Sequence, residues 1–334
     1  MSPSDIEAAL QSLAPELAQG GAEVTALRRM SGGASMETWA FRVLTPGGGS
    51  DLILRRRPDG SPSMEEGDRK VSLETEAVVI RAAAKQGAPV PPIVHVCVPE
   101  DGVGEAYVMG AVQGETLGRR IVRDEAFAAV RPRLARQCGE VLARIHSVPP
   151  EGLPELAVSD ALIEIAKYEE IYRTSGAQRP IVEAALVHLK ACAPRLERRV
   201  LVHGDFRNGN IMFHPEQGVA AVLDWELVHM GDPAEDMGWL CVNSWRFGEH
   251  RNPVGGFGQY EDLLAGYRDA GGEDIALERV LFWQMLGSLK WGIMCLIMYE
   301  IYRTGVDPSV ERAMIGRRSS ETEIDLVNLL ERAS

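Results

Sequence analysis

The chain has 334 residues, of which 45% are hydrophobic and 25% are charged, so it can hold a sizeable core and is best divided into two lobes. Its formal net charge of −13 argues against nucleic acid or an anionic membrane as a partner, because both attract basic proteins. Five cysteines without a CxxC pair indicate neither a disulfide framework nor a zinc site. The acidic N-terminus lacks the pattern of a signal peptide, so we expect a cytoplasmic protein.

The first third of the chain predicts a small sheet with helices beside it. A capped helix is expected at Ile6–Leu13. In the strand Asp51–Arg57, side-chain alternation places Ile53, Arg55 and Arg57 on one face. The other predicted elements of this region are strands at Glu23–Met30, Thr38–Leu44, Ile93–Val98 and Glu105–Met109, and a helix at Ser72–Ala84.

A short glycine-bearing loop joins the first two predicted strands. Glycine lets the backbone approach a ligand closely, so a strand–loop–strand unit of this kind can lay N–H groups over phosphates. Considered alone, a plain hairpin turn is the better interpretation of the loop. Its residues are Ser31, Gly32, Gly33, Ala34 and Ser35, followed by Met36.

Helical periodicity dominates the next part of the chain. Apolar residues recur at helical spacing through Val130–His146, with Pro132 in the first turn, where proline is tolerated. Two further helices are predicted at Asp160–Tyr172 and Pro180–Cys192.

A predicted β-hairpin lies within Leu201–Glu226. Two short apolar runs, Ile211–Phe213 and Val219–Leu223, flank a turn that contains proline and glycine. Antiparallel pairing of these runs would place the residue before the first run beside the residue after the second.

Three oxygen-bearing side chains lie at the open end of this hairpin. Asn210 precedes the first strand, Asp224 follows the second, and Asp205 lies five residues before Asn210. Carboxylate and amide oxygens suit a hard cation such as Mg²⁺. An Asx-rich turn would explain any one of these residues alone, but it explains their joint spacing poorly.

The last third of the chain begins with a strong helix start and continues as helices. Asp232 is the expected N-cap and Pro233 the first helical residue. The most apolar stretch, Leu281–Tyr302, is interrupted by Lys290 and Glu300, so we expect a buried helix rather than a membrane span.

The segment His203-Gly204-Asp205-Phe206-Arg207-Asn208-Gly209-Asn210 resembles the HGDxxxxN catalytic loop of the aminoglycoside phosphotransferase family. Asp224-Trp225-Glu226 is similar to that family's metal-binding motif, and the chain resembles the kinase-like domain fused to some acyl-CoA dehydrogenases. The resemblance implies an α+β, protein-kinase-like fold of two lobes. The nucleotide-binding lobe would be 1–112, with its hinge at 109–112, and the helical lobe 113–334.

The resemblance also implies roles for individual residues in a transfer from ATP, with GTP as the alternative donor, to a hydroxyl group. Asp205 would be the catalytic base, and Asp236 would support the catalytic loop. The residues implied for Mg²⁺ are Asn210 and Asp224. Those implied for the nucleotide are the loop Ser31, Gly32, Gly33, Ala34 and Ser35, then Arg55 in the position of the usual lysine, its partner Glu76, and Met109, Gly110 and Val112 of the hinge.

The acceptor is predicted to be a small hydroxylated metabolite. An aminoglycoside is the alternative, because the predicted helix Asp160–Tyr172 carries Glu164, Glu169 and Glu170, which would suit a polycation. A non-catalytic, pseudokinase-like nucleotide-binding module is a further alternative, prompted by the missing lysine. A two-metal phosphoesterase is rejected because the seven histidines show no paired metal-ligand spacing.

Overall fold

The computed structural model describes residues 1–30, 36–60 and 70–333 of the chain. Within this part, an antiparallel sheet comes first and a mostly helical region follows. This is the α+β arrangement that the sequence predicts.

Five strands of the described region form one sheet in the order β1-β2-β3-β5-β4, and all neighbouring strands are antiparallel. Alternate residues of the third strand, including Leu52 and Leu54, pack with the first helix in a core of their own. The bounds are α1 Pro3–Leu17, β1 Glu23–Arg29, β2 Glu37–Thr45, β3 Gly48–Arg56, β4 Ile93–Val96 and β5 Ala106–Gly110. The predicted strands are therefore present, with the fourth ending two residues early.

Helix α2, Leu73–Lys85, connects the sheet to the rest of the molecule. Ser72 caps it by accepting a hydrogen bond from the N–H of Thr75 at 3.1 Å. Its buried residues Leu73 and Ile80 belong to the large core of the helical region rather than to the core beneath the sheet. The position of α2 is therefore set by both parts of the chain.

The helical region contains nine helices in the part of the chain that the structure describes. The predicted helix Val130–His146 begins as a 3₁₀ turn at Arg131–Arg133 and becomes α-helical only at Leu134, a common arrangement at helix ends. The bounds are α3 Gly118–Arg123, α4 Leu134–His146, α5 Ala161–Ser175, α6 Pro180–Cys192, α7 Pro233–Leu240, α8 Tyr260–Asp269, α9 Leu277–Arg303, α10 Val310–Gly316 and α11 Ser319–Ala333.

Two short strand pairs hold the segments that carry Asp205, Asn210 and Asp224. β7, Ile211–His214, and β8, Gly218–Val222, form the predicted hairpin. β6, Val200–Val202, pairs with β9, His229–Gly231. The loops between β6 and β7 and between β8 and β9 consequently emerge side by side.

Helix α9 is long and apolar enough to cross a membrane by length and composition, the one such helix among the described residues. However, 67% of its apolar window is buried inside the protein, where it packs against α5, α6, α7, α10 and α11. That is the environment of a core helix, as the sequence predicts.

Candidate active site

The loop His203–Asn210, between β6 and β7, has a backbone that requires glycine at its second residue. Gly204 has φ +81°, and a Cβ atom at this position would lie 2.5 Å from the carbonyl oxygen of Leu227. A side chain would therefore clash with the segment that follows Asp224. The close approach brings the two loops of the site into direct contact.

His203 is a packing residue. It is completely buried, its ring lies edge-on to Trp225 with centroids 4.8 Å apart, and its Nε2 lies 3.1 Å from the carbonyl oxygen of Leu223. Burial lowers the pKa of His203, although the Asp236 carboxylate nearby opposes the shift. A neutral imidazole at pH 7 fits this role.

Asp236, on α7, holds the backbone of the loop. Its carboxylate accepts hydrogen bonds from the N–H groups of His203 at 2.8 Å and Gly204 at 2.9 Å, and it lies 3.2 Å from Nε2 of His146 at the end of α4. Burial opposes ionisation, but the contacts with His146 and His203 lower the pKa of Asp236. The predicted supporting role of Asp236 is therefore confirmed by its hydrogen bonds.

Asp205 accepts hydrogen bonds from three side chains. Its Oδ1 receives the indole N–H of Trp239 at 2.6 Å and the Nε–H of Arg207 at 3.0 Å, and its Oδ2 receives the amide N–H of Asn210 at 2.6 Å. The guanidinium of Arg207 also lies over the ring of Trp245, 4.6 Å from its centroid. Arg207 therefore forms a salt bridge within the loop.

Sequence reasoning missed Trp239. A usable signal was present, because Trp239 follows Asp236 by three residues in a predicted helix, and residues i and i+3 lie on the same helix face. Asp236 is predicted to support the loop His203–Asn210. Helix periodicity therefore places Trp239 facing the same loop.

The hairpin brings Asn210 and Asp224 to one end of the site. The N–H of Leu223 donates to the carbonyl oxygen of Asn210 at 2.8 Å, which closes the end of the hairpin between the two residues. Asn210 uses its amide nitrogen on Asp205, so its amide oxygen points away from that carboxylate. Asp224 has φ +65°, a left-handed conformation that aspartate tolerates better than most residues.

Arg55 of β3 reaches across the molecule to Asp224. Its Nη2 donates to Oδ1 of Asp224 at 2.6 Å and lies 3.8 Å from Oε2 of Glu226. Its Nε lies 3.3 Å from Oε2 of Glu76, an ion pair without hydrogen-bond geometry. The expected pairing of Arg55 with Glu76 is thus present, and the contact with Asp224 adds a link between residues 169 positions apart.

Glu76 is fully buried on α2 rather than a surface charge. Its Oε2 accepts a hydrogen bond from the hydroxyl of Tyr107 at 3.1 Å. Burial raises the pKa of Glu76 to about 7, and Arg55 opposes the shift. Burial disfavours the Arg55 cation, but Glu76 and Asp224 more than offset this and raise its pKa. Arg55 therefore stays charged at any physiological pH, whereas burial makes the charged form of Glu76 less favourable than that of an exposed glutamate.

Glu226 makes a second connection between the two parts of the molecule, and sequence reasoning did not single it out. Its Oε1 lies 3.1 Å from Nζ of Lys70, and its carbonyl oxygen accepts a hydrogen bond from the N–H of Val71 at 3.0 Å. The segment that leads into α2 is thus tied directly to the residues after Asp224.

The predicted nucleotide contacts at the loop and the hinge have different outcomes. Ser31, Gly32, Gly33, Ala34 and Ser35 lie outside the described residues. At the hinge, the N–H of Gly110 donates to the carbonyl oxygen of Pro92 at 2.9 Å. That N–H is engaged within the protein. The assignments of Met109, Gly110 and Val112 to the nucleotide base stay predictions.

On the other side of Asp205, a cation lies among aromatic rings. Nζ of Lys290, on α9, lies 4.5 Å from the ring centroid of Trp239 and 5.8 Å from that of Tyr168. Lys290 and Trp239 line a small cavity together with Gly204 and Trp283, and two carboxylates, Glu164 and Glu235, also line it. The cavity therefore adjoins the loop His203–Asn210 through Gly204.

The carboxylates of α5 are largely engaged elsewhere. Glu164 is buried and accepts a hydrogen bond from the hydroxyl of Ser159 at 2.6 Å, while Glu169 pairs with Lys190 and Arg173. Glu164 nevertheless lines the small cavity that Lys290 and Trp239 also line.

A group of possible metal ligands, His95, Cys97 and Asp101, lies behind the sheet, with ligand atoms within 4.8 Å of one another. Asp101 accepts a hydrogen bond from the N–H of Val98 at 2.8 Å and lies 2.8 Å from Nε2 of His95. Capping of the turn after β4 accounts for this arrangement without an ion.

Known proteins that resemble this chain fall into one sequence family and share one fold. The family model described as the phosphotransferase enzyme family matches residues 26–272. Mouse acyl-CoA dehydrogenase family member 10 is 32% identical over 204 residues, which cover 57% of this chain and 18% of that protein. The chain spans between 18% and 41% of the length of the curated acyl-CoA dehydrogenase relatives it matches.

Solved structures extend the likeness to nearly the whole chain. A Ralstonia eutropha protein, named provisionally as an aminoglycoside phosphotransferase, superimposes with a TM-score of 0.76 at 22% identity, over 97% of this chain and 98% of its own. A spectinomycin phosphotransferase solved with ADP and spectinomycin gives a TM-score of 0.61 at 13% identity, over 91% and 94%. At these identities the likeness establishes the shared kinase-like fold alone.

Proposed function

Because this chain belongs to the phosphotransferase enzyme family, we propose that it transfers the γ-phosphoryl group of ATP to a hydroxyl group of a small molecule. The observation that carries the proposal is the meeting of Asp205, Asn210 and Asp224 around one end of the hairpin, with Arg55 bonded to Asp224. These residue types in this arrangement provide a proton acceptor, oxygen ligands for a cation and a phosphate-binding charge.

Asp205 is the proposed catalytic residue. It orients the acceptor hydroxyl and takes its proton as the hydroxyl oxygen forms a bond to the γ-phosphorus. The bond from that phosphorus to the β–γ bridging oxygen breaks, and its electron pair leaves with ADP. Because the transition state is loose, proton transfer comes late and the carboxylate need not be a strong base.

Asn210 and Asp224 are the proposed Mg²⁺ ligands. Their donor set fits a hard cation, since the Asn210 amide oxygen is directed away from Asp205 and the Asp224 carboxylate already holds a cationic group, Arg55. When bound, Mg²⁺ supplies positive charge against the nucleotide phosphates. Asn210 adds an oxygen ligand to the site without another negative charge.

Arg55 is the proposed phosphate-binding residue in place of the usual lysine. It keeps the positive charge but presents a wider, planar donor group, and Glu76 holds it in position. The loop Ser31–Ser35 would cover the phosphates, and the hinge residues Met109, Gly110 and Val112 would line the base. GTP remains the alternative to ATP.

The acceptor is proposed to be a hydroxylated metabolite with an anionic or apolar part, for example a hydroxyacid or its thioester. Support comes from the small cavity next to Gly204, where Trp239 and Trp283 supply apolar surface and Lys290 supplies a positive charge. An aminoglycoside is a second candidate, because several solved neighbours phosphorylate antibiotics by name. The aromatic rings and Lys290 of the cavity favour the first, whereas its carboxylates Glu164 and Glu235 favour the second.

The test is ADP release over a panel of hydroxyacids, their thioesters and kanamycin-type compounds, with Mg²⁺ and ATP or GTP. We expect turnover with an acidic acceptor and its loss in Asp205→Asn. Efficient phosphorylation of kanamycin-type compounds alone would overturn the acceptor assignment. Nucleotide binding without turnover on any acceptor or on water would favour a non-catalytic nucleotide-binding module.

A further inference from the structure

The three donors around Asp205 distinguish its two oxygens. A carboxylate has about four lone-pair positions for hydrogen bonds. Oδ1 has two donors, Trp239 and Arg207, whereas Oδ2 has one, Asn210. The position left for a further donor is therefore on Oδ2.

The indole of Trp239 is held firmly in place. Its side chain is 6% exposed, its ring meets that of Trp245 edge-on at 5.3 Å, and Nζ of Lys290 lies 4.5 Å from its centroid. The preceding residue, Gly238, packs so closely on α9 that a Cβ there would lie 2.5 Å from Cβ of Trp283. The direction of the indole N–H is consequently set by the packing of α7 on α9.

Helix α7 controls the catalytic loop at two points. Asp236 binds the loop backbone, and Trp239, three residues later on the same face, binds the side chain of Asp205.

From this geometry we propose that Trp239 is a positioning residue for Asp205, which, together with Arg207, holds Oδ1 so that Oδ2 receives the proton of the acceptor hydroxyl. The inference rests on the proposed phosphotransferase function. Trp239 acts through Asp205: its N–H fixes the carboxylate, while the face of its ring forms part of the cavity wall. Removing the N–H while keeping an aromatic ring separates these two contributions.

The experiment compares Trp239→Phe with Trp291→Phe as a matched control. Trp291 belongs to the same aromatic cluster, with its ring 4.9 Å from that of Trp245, and its buried N–H has no hydrogen-bond partner among the described residues. Both variants lose one indole N–H and a similar volume. Only the first loses a bond to Asp205.

Turnover is followed as ADP release with Mg²⁺-ATP, using the acceptor found in the panel or water. For Trp239→Phe we expect kcat to fall roughly 10- to 100-fold, the scale of a hydrogen bond to a charged group, with KM values changed less than about threefold. Trp291→Phe should stay within about twofold of the parent in kcat. Equal losses in both variants, no loss in either, or a rise in KM without a fall in kcat would overturn the inference.

A structural readout separates this inference from the proposed function. In a crystal structure of Trp239→Phe, we expect the Asp205 carboxylate to leave its present orientation, and in Trp291→Phe to retain it. If the parent enzyme shows no turnover, the proposed function fails and this comparison still decides the positioning role. An unchanged Asp205 orientation in Trp239→Phe would refute it.

Discussion

Arg55 and a bound divalent cation would compete for the carboxylate of Asp224. Nη2 of Arg55 lies 2.6 Å from Oδ1 of Asp224, one of the proposed Mg²⁺ ligands. Arg55→Met keeps much of the apolar stem and removes the guanidinium. We expect this variant to bind Mg²⁺ or Mn²⁺ more tightly without nucleotide, but to bind Mg²⁺-ATP less tightly because a phosphate contact is lost.

The size of the gain in metal affinity follows from the contact that is removed. A hydrogen bond to a charged group contributes about 1.5–3 kcal/mol. The side chain of Asp224 is 34% exposed, so solvent screening favours the lower end. About 1.5 kcal/mol corresponds to roughly a tenfold increase in metal affinity. Glu76, whose pKa burial already raises to about 7, can take up a proton when Arg55 is absent, which limits the charge left uncompensated.

Isothermal titration with Mg²⁺, or Mn²⁺ titration followed by electron paramagnetic resonance, measures the first effect. The same titration with Mg²⁺-ATP measures the second. Arg57→Met is the control, because Arg57 directly follows β3 and pairs instead with Glu105 at 2.6 Å. Thermal denaturation verifies that both variants fold. Unchanged or weaker metal binding by Arg55→Met without nucleotide would refute the competition, and unchanged Mg²⁺-ATP affinity would refute the phosphate contact.

Three further predictions concern the catalytic loop and the buried acid beside Arg55. Asp205→Ala should lower kcat by ~10²–10⁴-fold while retaining nucleotide affinity, and a parental rate of ADP release would contradict its assignment. Asp236→Ala leaves the buried N–H groups of His203 and Gly204 without their acceptor and should lower the free energy of unfolding by about 3 kcal/mol in denaturant titrations; a loss below about 1 kcal/mol would contradict this. Because its folded-state pKa is raised, Glu76 contributes stability that is complete below pH 4.5 and is lost as the pH rises through about 7. Glu76→Gln should therefore gain stability relative to the parent between pH 5 and 8, and a difference that does not vary with pH would exclude that linkage.

Local patterns in the sequence predicted much of the fold. Alternation of apolar residues located β3 and the hairpin of β7 and β8, because side-chain direction in a strand depends only on neighbouring positions. The cap and proline at Asp232 and Pro233 located the start of α7. The same rules set the start of α4 too early, since a 3₁₀ turn and an α-helix share their side-chain periodicity over so few residues.

Contacts between segments that are far apart in the sequence could not be predicted from local patterns. The pairing of Arg55 with Glu76 came from the family resemblance, but its bond to Asp224 depends on how the sheet meets the helical region. The occupied N–H of Gly110 likewise depends on the position of Pro92 after α2. No periodicity within one element encodes such a distance, and a residue type alone does not reveal which partner it finds.

Helix α7 is buried along its entire length, Pro233–Leu240. The same eight residues include Asp236 and Trp239, which bind the loop His203–Asn210. A change in the packing position of this helix would therefore move the hydrogen-bond donor of Asp205. A substitution that appears conservative for packing can therefore slow the reaction, and variation within α7 is constrained twice, once by folding and once by turnover. Transplanting the His203–Asn210 loop into another scaffold would require its supporting helix to accompany it.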